Sequence, residues 1–137
     1  MKIKLDPGAK MPTRAHAKDA GLDIYALHDG IVPPLGSAVF KTGVHIKLPP
    51  ATFGDMRSKS GLMFNHGITS DGTIDEGYTG EIMVKLFNHS RTLYHVRAGD
   101  RISQLVIVPI VRESMELVSQ LEDTSDRGAA GFGSTGR

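Results

Sequence analysis

Cysteine is absent from the 137 residues, which rules out a disulfide framework or a thiolate metal site and is compatible with a reducing compartment. Charge of one sign is also missing: 16 Lys and Arg stand against 15 Asp and Glu, a formal net charge of +1. No basic run is dense enough for the electrostatic footprint of a nucleic-acid binder, so any anion must be met by local donors. Long apolar runs are lacking too. The longest, Leu105 to Val111, is far too short to span a bilayer, and the opening MKIKLDPGAK has no apolar stretch of the secretory kind. These absences predict a soluble cytoplasmic protein, or one of the host-cell cytoplasm if viral, with neither nucleic acid nor membrane as partner. The length suits one domain with its own core.

What is present is punctuation. Pro7-Gly8, Asp29-Gly30, Pro33-Pro34, Pro49-Pro50, Asp71-Gly72 and Ala98-Gly99-Asp100 separate short segments rich in Val, Ile, Leu and Thr, which is strand spacing. In EIMVKLFN, Ile82, Val84 and Leu86 point one way and Glu81, Met83, Lys85 and Phe87 the other. SAVFK and VHIKL read as a hairpin around Thr42-Gly43. RISQLVIVPIV turns apolar on both faces in its second half, which predicts burial on both sides or a subunit interface. SGLMFNH alone has room for a short helical turn. The fold class is all-β, a jelly-roll β-sandwich or barrel, with no internal repeat. The domain runs over 1–121, and 122–137 is a glycine-rich tail.

That tail, RGAAGFGSTGR, places the chain's last aromatic residue among glycines where no core can form, so it is either idle or a lid. The polar residues upstream must decide between the two. GTIDEGYTGEI sets Asp75 after a turn and before a strand, with Tyr78 three residues on. RSKSGL offers Lys59, the Ser60 hydroxyl and the Gly61 amide as donors to phosphate oxygens. It is not a Walker loop, because Ser58 stands where that motif needs glycine. AGLDIYA contributes Asp23, GDRISQL contributes Gln104 beside Arg101, and the tail contributes Arg127. One carboxylate suits a hydrated Mg²⁺ and the other suits activation of water. The six histidines form neither HExxH nor a close pair, and none is assigned to catalysis.

In chain order, DAGLDIYA, RSKSGL, GTIDEGYTGEI, GDRISQL and RGAAGFGSTG resemble the five motifs of the homotrimeric dUTPase family, a likeness that runs from about Lys2 to Gly136. The resemblance implies a jelly roll and a threefold trimer with active sites shared between subunits. It implies Mg²⁺-dependent hydrolysis of dUTP to dUMP and pyrophosphate, which limits uracil in DNA and supplies dUMP for thymidylate synthesis. By the same resemblance Asp75 activates the water that attacks the α-phosphorus, and Tyr78 packs on the deoxyribose. Main-chain groups from Thr69 through Gly72, Thr73 and Ile74 pair with the uracil edge. Lys59, Ser60, Gly61 and Gln104 hold phosphates, and Asp23 meets the metal through water. Arg127 neutralises the terminal phosphate, Phe132 stacks on uracil, and Gly133, Ser134 and Thr135 wrap the triphosphate. Met83 lies against the base or packs in the core. Lys59 departs from the arginine common in the family and loses its planar fork, which Arg57 compensates only if its strand has not ended. Two other readings are a dCTP deaminase, whose catalytic glutamate is replaced here by Lys85, and a regulatory jelly roll that only binds nucleotide.

Overall fold

The computed structural model describes residues 1–121. The element order is β1 (Lys2–Leu5), β2 (Gly21–Tyr25), β3 (Gly30–Val32), β4 (Ser37–Lys47), β5 (Thr52–Arg57), α1 (Ser60–His66), β6 (Ile68–Ile74), β7 (Glu81–Asn88), β8 (Tyr94–Val96) and β9 (Arg101–Pro109). Seven strands form one antiparallel sheet in the order β1-β4-β7-β6-β5-β9-β2, and β3 pairs with β8 beside it. The alternation in β7 holds: Ile82, Val84 and Leu86 are buried, and Met83, Lys85 and Phe87 are exposed. They meet Ile24, Ile102 and Leu105 from the far end of the sheet in one core, so the sheet curls over on itself. The result is the expected all-β jelly roll.

The curl is made at β6. Its first three residues, Ile68, Thr69 and Ser70, pair with β7, and Asp71 to Ile74 pair with β5. Backbone groups at such a change of partner lie outside a continuous ladder, yet they are buried and must be bonded. Serine hydroxyls do this. Ser70 N–H donates to Ser58 Oγ at 2.9 Å, and Ser58 Oγ donates back to the Ser70 carbonyl at 2.9 Å. Ser70 Oγ and Ser103 Oγ lie 2.9 Å apart, and Ser103 Oγ donates to the Arg57 carbonyl at 3.0 Å. These bonds fasten β6 to the end of β5, to β9 and to the residue that precedes Lys59.

One sequence expectation is corrected, and another loses the first of its two branches. Thr42-Gly43 is not a hairpin turn: β4 is one strand of 11 residues. Its pairing with β7 slips between Lys41 and His45, and β1 pairs with Val44 to Lys47. Gly43 takes φ 66° inside this bulge, so the positive-φ signal is spent there. Thr42 Oγ donates to the Ile82 carbonyl at 2.5 Å and accepts Val44 N–H at 3.1 Å, which keeps the strand whole across the slip. The second half of β9 is not buried on both sides within its own chain either. Val106, Ile107 and Val108 are half-buried, because neighbours β5 and β2 cover the edges of β9 and leave part of its outer face open. After Pro109, residues 110–121 form neither helix nor strand, and Met115 and Leu117 are each 100% exposed. No helix among the described residues is long and apolar enough to cross a membrane.

Ser58→Ala removes both bonds to the Ser70 backbone and leaves a buried N–H without its partner. It should cost about 1–3 kcal/mol, seen in urea as a lower midpoint with unchanged slope; an unchanged midpoint would contradict the role given to Ser58.

Candidate active site

Two cavities hold the polar residues. The first, about 240 Å³, is lined by Thr73, Ile74, Asp75, Tyr78, Glu81, Ile82 and Met83. It exists because the β6–β7 ladder stops at Ser70. Beyond that point β6 pairs on its other edge with β5, while β7 continues beside β4. The facing edges of β6 and β7 therefore diverge without pairing to each other, and they leave a slot between them. Asp75 is exposed at its rim, where the Asp75 carbonyl accepts Tyr78 N–H at 3.0 Å to close the turn. Tyr78 folds its ring back over Gly80, where a Cβ would stand 2.4 Å from the hydroxyl, and donates to the Glu81 carbonyl at 2.9 Å. A side chain at position 80 would push the Tyr78 ring out of this pose. Met83, 55% exposed, lines the slot and is not a core residue.

The second cavity, about 300 Å³, includes Asp19, Gly21, Asp23, Arg57, Lys59 and Gln104 among its lining residues. Register explains the gathering. Gln104 on β9 stands opposite Asp23 on β2 and opposite Arg57 on β5, so three strands set these residues in one row. Gln104 Nε2 donates to the Ser58 carbonyl at 2.9 Å and fixes the loop that carries Lys59. Asp23 is only 4% exposed. Its Oδ1 accepts a hydrogen bond from Lys59 Nζ, and Arg101 Nε lies 3.2 Å from Oδ2. The Arg101 contact is an ion pair without an aligned hydrogen bond, so Oδ2 retains unmet acceptor capacity. Lysine at position 59 thus keeps the pairing with a carboxylate. Arg57 ends its strand on the exposed side and donates to Asp55 at 2.7 Å, yet it still borders this cavity.

Ser60 and Gly61 are exposed at the start of α1, directly after Lys59. Thr69 lies away from the slot: its Oγ1 is 2.7 Å from His89 Nε2, and it pairs with Phe87. Gly72 pairs with Met56 on the β5 side. Arg127, Phe132, Gly133, Ser134 and Thr135 lie outside the described residues. Two participants went unread in the sequence. Arg101 was noted only as a neighbour of Gln104, although it faces Asp23. Glu76, beside Asp75, accepts from Arg112 Nη2 at 2.5 Å and from Ala51 N–H at 3.1 Å. The Arg112 bond first, then the Ala51 bond, holds the Glu76 carboxyl below the usual carboxylate range. The signal for Glu76 was its place next to Asp75 in IDEGY.

No group of three or more His, Cys, Asp or Glu is arranged to hold a metal ion among the described residues. Asp23 offers a single buried carboxylate with one under-bonded oxygen. That donor set fits an ion such as Mg²⁺, which keeps its waters and takes its other ligands from phosphates.

These features define an antiparallel jelly-roll protein with an exposed carboxylate at an inter-strand slot and two cationic side chains about a buried one. A dUTPase family model matches residues 8–136. A curated deoxyuridine 5'-triphosphate nucleotidohydrolase of Gloeothece citriformis (strain PCC 7424) is 46% identical over 136 residues, covering 97% of this chain and 93% of that relative. A solved structure of a mutant Staphylococcus bacteriophage 80alpha dUTPase with dUpNHpp is 32% identical with TM-score 0.88, covering 99% of this chain and 98% of that one. A mutant dUTPase from phage phi11 of S. aureus, described with a structural Mg(II) ion, is 27% identical with TM-score 0.81, covering 87% of this chain and 96% of that one. The chain belongs to the dUTPase family.

If Asp23 and Lys59 act as one buried pair, their substitutions should not add. In a cycle of Asp23→Asn, Lys59→Met and the double variant, urea unfolding should give a coupling energy of about 1–3 kcal/mol. Simple additivity would contradict the pairing.

Proposed function

We propose that the protein hydrolyses dUTP to dUMP and pyrophosphate, with the base in the β6–β7 slot and the phosphates against the Asp23 cradle of another copy. The observation that carries this reading is the slot itself: unpaired main-chain edges, with Asp75 and Tyr78 at the rim. Fixed N–H and C=O groups discriminate by pattern, and a set matched to uracil opposes donor to donor when cytosine enters. The Tyr78 ring walls the sugar, where a 2′-hydroxyl collides. Asp75 orients a water in line with the α-phosphorus and takes its proton. As the new P–O bond forms, the bond from the α-phosphorus to its bridging oxygen breaks, and pyrophosphate leaves with that electron pair. Lys59, Ser60, Gly61 and Gln104 orient the phosphates. Mg²⁺ would supply charge neutralisation on the phosphates, and Asp23 is the protein carboxylate that would meet it through water. Arg127 at the terminal phosphate and Phe132 on the base complete the contacts that this reading assigns to the nucleotide.

Self-association as a trimer with shared sites is supported by one feature. Met115 and Leu117, bare in the isolated chain, need an apolar surface that another copy can supply. The deaminase reading finds no support. Lys85 is on the exposed face of β7 with its ammonium 5.1 Å from the Phe87 ring, and it cannot serve as the proton-transferring carboxylate.

Pyrophosphate release from dUTP should exceed that from dCTP by orders of magnitude, and Asp75→Asn should lower turnover by about 10² or more with dUTP still bound. Near-normal turnover in that variant would falsify the assignment. Mixed trimers of Asp75→Asn chains and chains cut after Thr124 should regain about a quarter of the sites if Asp75 and the tail come from different subunits. Recovery no greater than the sum of the parents, with exchange confirmed by mass, would contradict shared sites.

A further inference from the structure

On the side of the Asp75–Tyr78 turn away from the slot lies a second polar cluster. His45, on β4 just past the bulge, is 20% exposed at its side chain. Its Nε2 is 3.0 Å from Asp6 Oδ2, and its Nδ1 is 3.2 Å from the Thr79 carbonyl oxygen. Both partners are acceptors. A neutral imidazole has one N–H and one lone pair, so it satisfies one of them and turns a lone pair toward the other; an imidazolium donates to both.

The same stretch of β4 grips the turn elsewhere. The Glu81 carboxylate accepts Gly43 N–H at 2.9 Å, and Thr42 Oγ reaches the Ile82 carbonyl. Those bonds hold the far end of the turn, after Gly80. On its near side, between Tyr78 and Gly80, the Thr79 carbonyl has the His45 ring as its tie to the sheet. Asp6 is itself anchored, since its N–H donates to the Gly43 carbonyl at 2.8 Å.

We propose that His45, as an imidazolium braced by Asp6, is a positioning residue that holds the Tyr78 turn in place, and through it the wall that selects the sugar. The sugar consequence rests on the function proposed above; the clamp itself does not. The charged groups facing His45 are Asp6 and Lys4 from β1 and its end, and Glu81 from β7, with Lys2 and Lys47 on the border of the same cavity. Lys4 Nζ lies 3.5 Å from Asp6 Oδ1 and opposes the proton on His45, but Asp6 is nearer to the ring. The hydrogen bond to Asp6 first, then the Thr79 carbonyl, raises the imidazole above the ordinary histidine value, and the His45 bond chiefly lowers Asp6. A raised folded-state value means that the contribution is complete below the ordinary histidine value and is lost as pH rises through the raised one.

The test is an amide and imidazole NMR titration of the full chain without nucleotide. The Thr79 and Gly80 amides should titrate with the His45 midpoint, and Asp6→Asn should lower both midpoints together. In His45→Gln the two amides should stop titrating, and the preference for dUTP over UTP should fall about fivefold, the worth of one hydrogen bond, and lose its dependence on pH. Amides that ignore the His45 midpoint, or an Asp6→Asn protein in which the midpoints stay put, would overturn the clamp. The titration needs no substrate, so a protein that fails to turn over dUTP would refute the proposed function while the amides still decide on His45.

Discussion

Everything chemical in this molecule depends on β6 changing partner after Ser70. A strand that continued beside β7 would close the slot with ladder bonds, and the sheet would lie open with Asp23 far from the rest of the core. Switching to β5 instead curls the sheet and frees two main-chain edges. The cost of the switch is a set of buried backbone groups outside any ladder. Ser58, Ser70 and Ser103 bond them. Because Ser58 immediately precedes Lys59, the knot that permits the slot also sets the start of the cradle around Asp23. Gln104 ties the same loop to β9. Slot and cradle are thus consequences of one packing solution.

The cradle has a different physics from the slot. Asp23 is nearly excluded from water, and a buried carboxylate is tolerated only when it is paired. Lys59 and Arg101 meet that need in the free protein. An ammonium has no planar fork, so one lysine bond leaves Oδ2 to Arg101, whose contact is not aligned. Such a site has charge in surplus and geometry not fully satisfied. A single ammonium bond of this kind is easier to rearrange than a bidentate arginine grip.

How much of this the sequence disclosed depended on the range of each interaction. The inward face of β7 was legible because strand alternation is a local property, and SGLMFNH gave the one helix among the described residues for the same reason. Thr42-Gly43 misled because a bulge and a turn make the same local demand for positive φ; only pairing with β1 and β7 on successive halves of β4 tells them apart. Asp75 and Tyr78 fell in one segment and were found together. Asp23, Lys59 and Arg101 are spread over most of the chain, and their meeting is a fact of register that no local pattern carries. The Ser58 hydroxyl was judged only as a failed glycine, since its partner is 12 residues away on the strand that switches. The tail motif from Arg127 to Thr135 falls outside the described residues, and its reading stays with the resemblance.

The claim that the freed edges of β6 and β7 read the base is tested most directly by amide hydrogen exchange, resolved by residue, in free protein and with dUMP or dCMP. The account predicts that amides within 71–74 and 82–84 that face the slot exchange faster than those of the Ile68–Ser70 ladder in free protein, and that dUMP slows them while dCMP leaves them unchanged. Slot amides already as protected as the ladder, or slowed equally by both nucleotides, would contradict it.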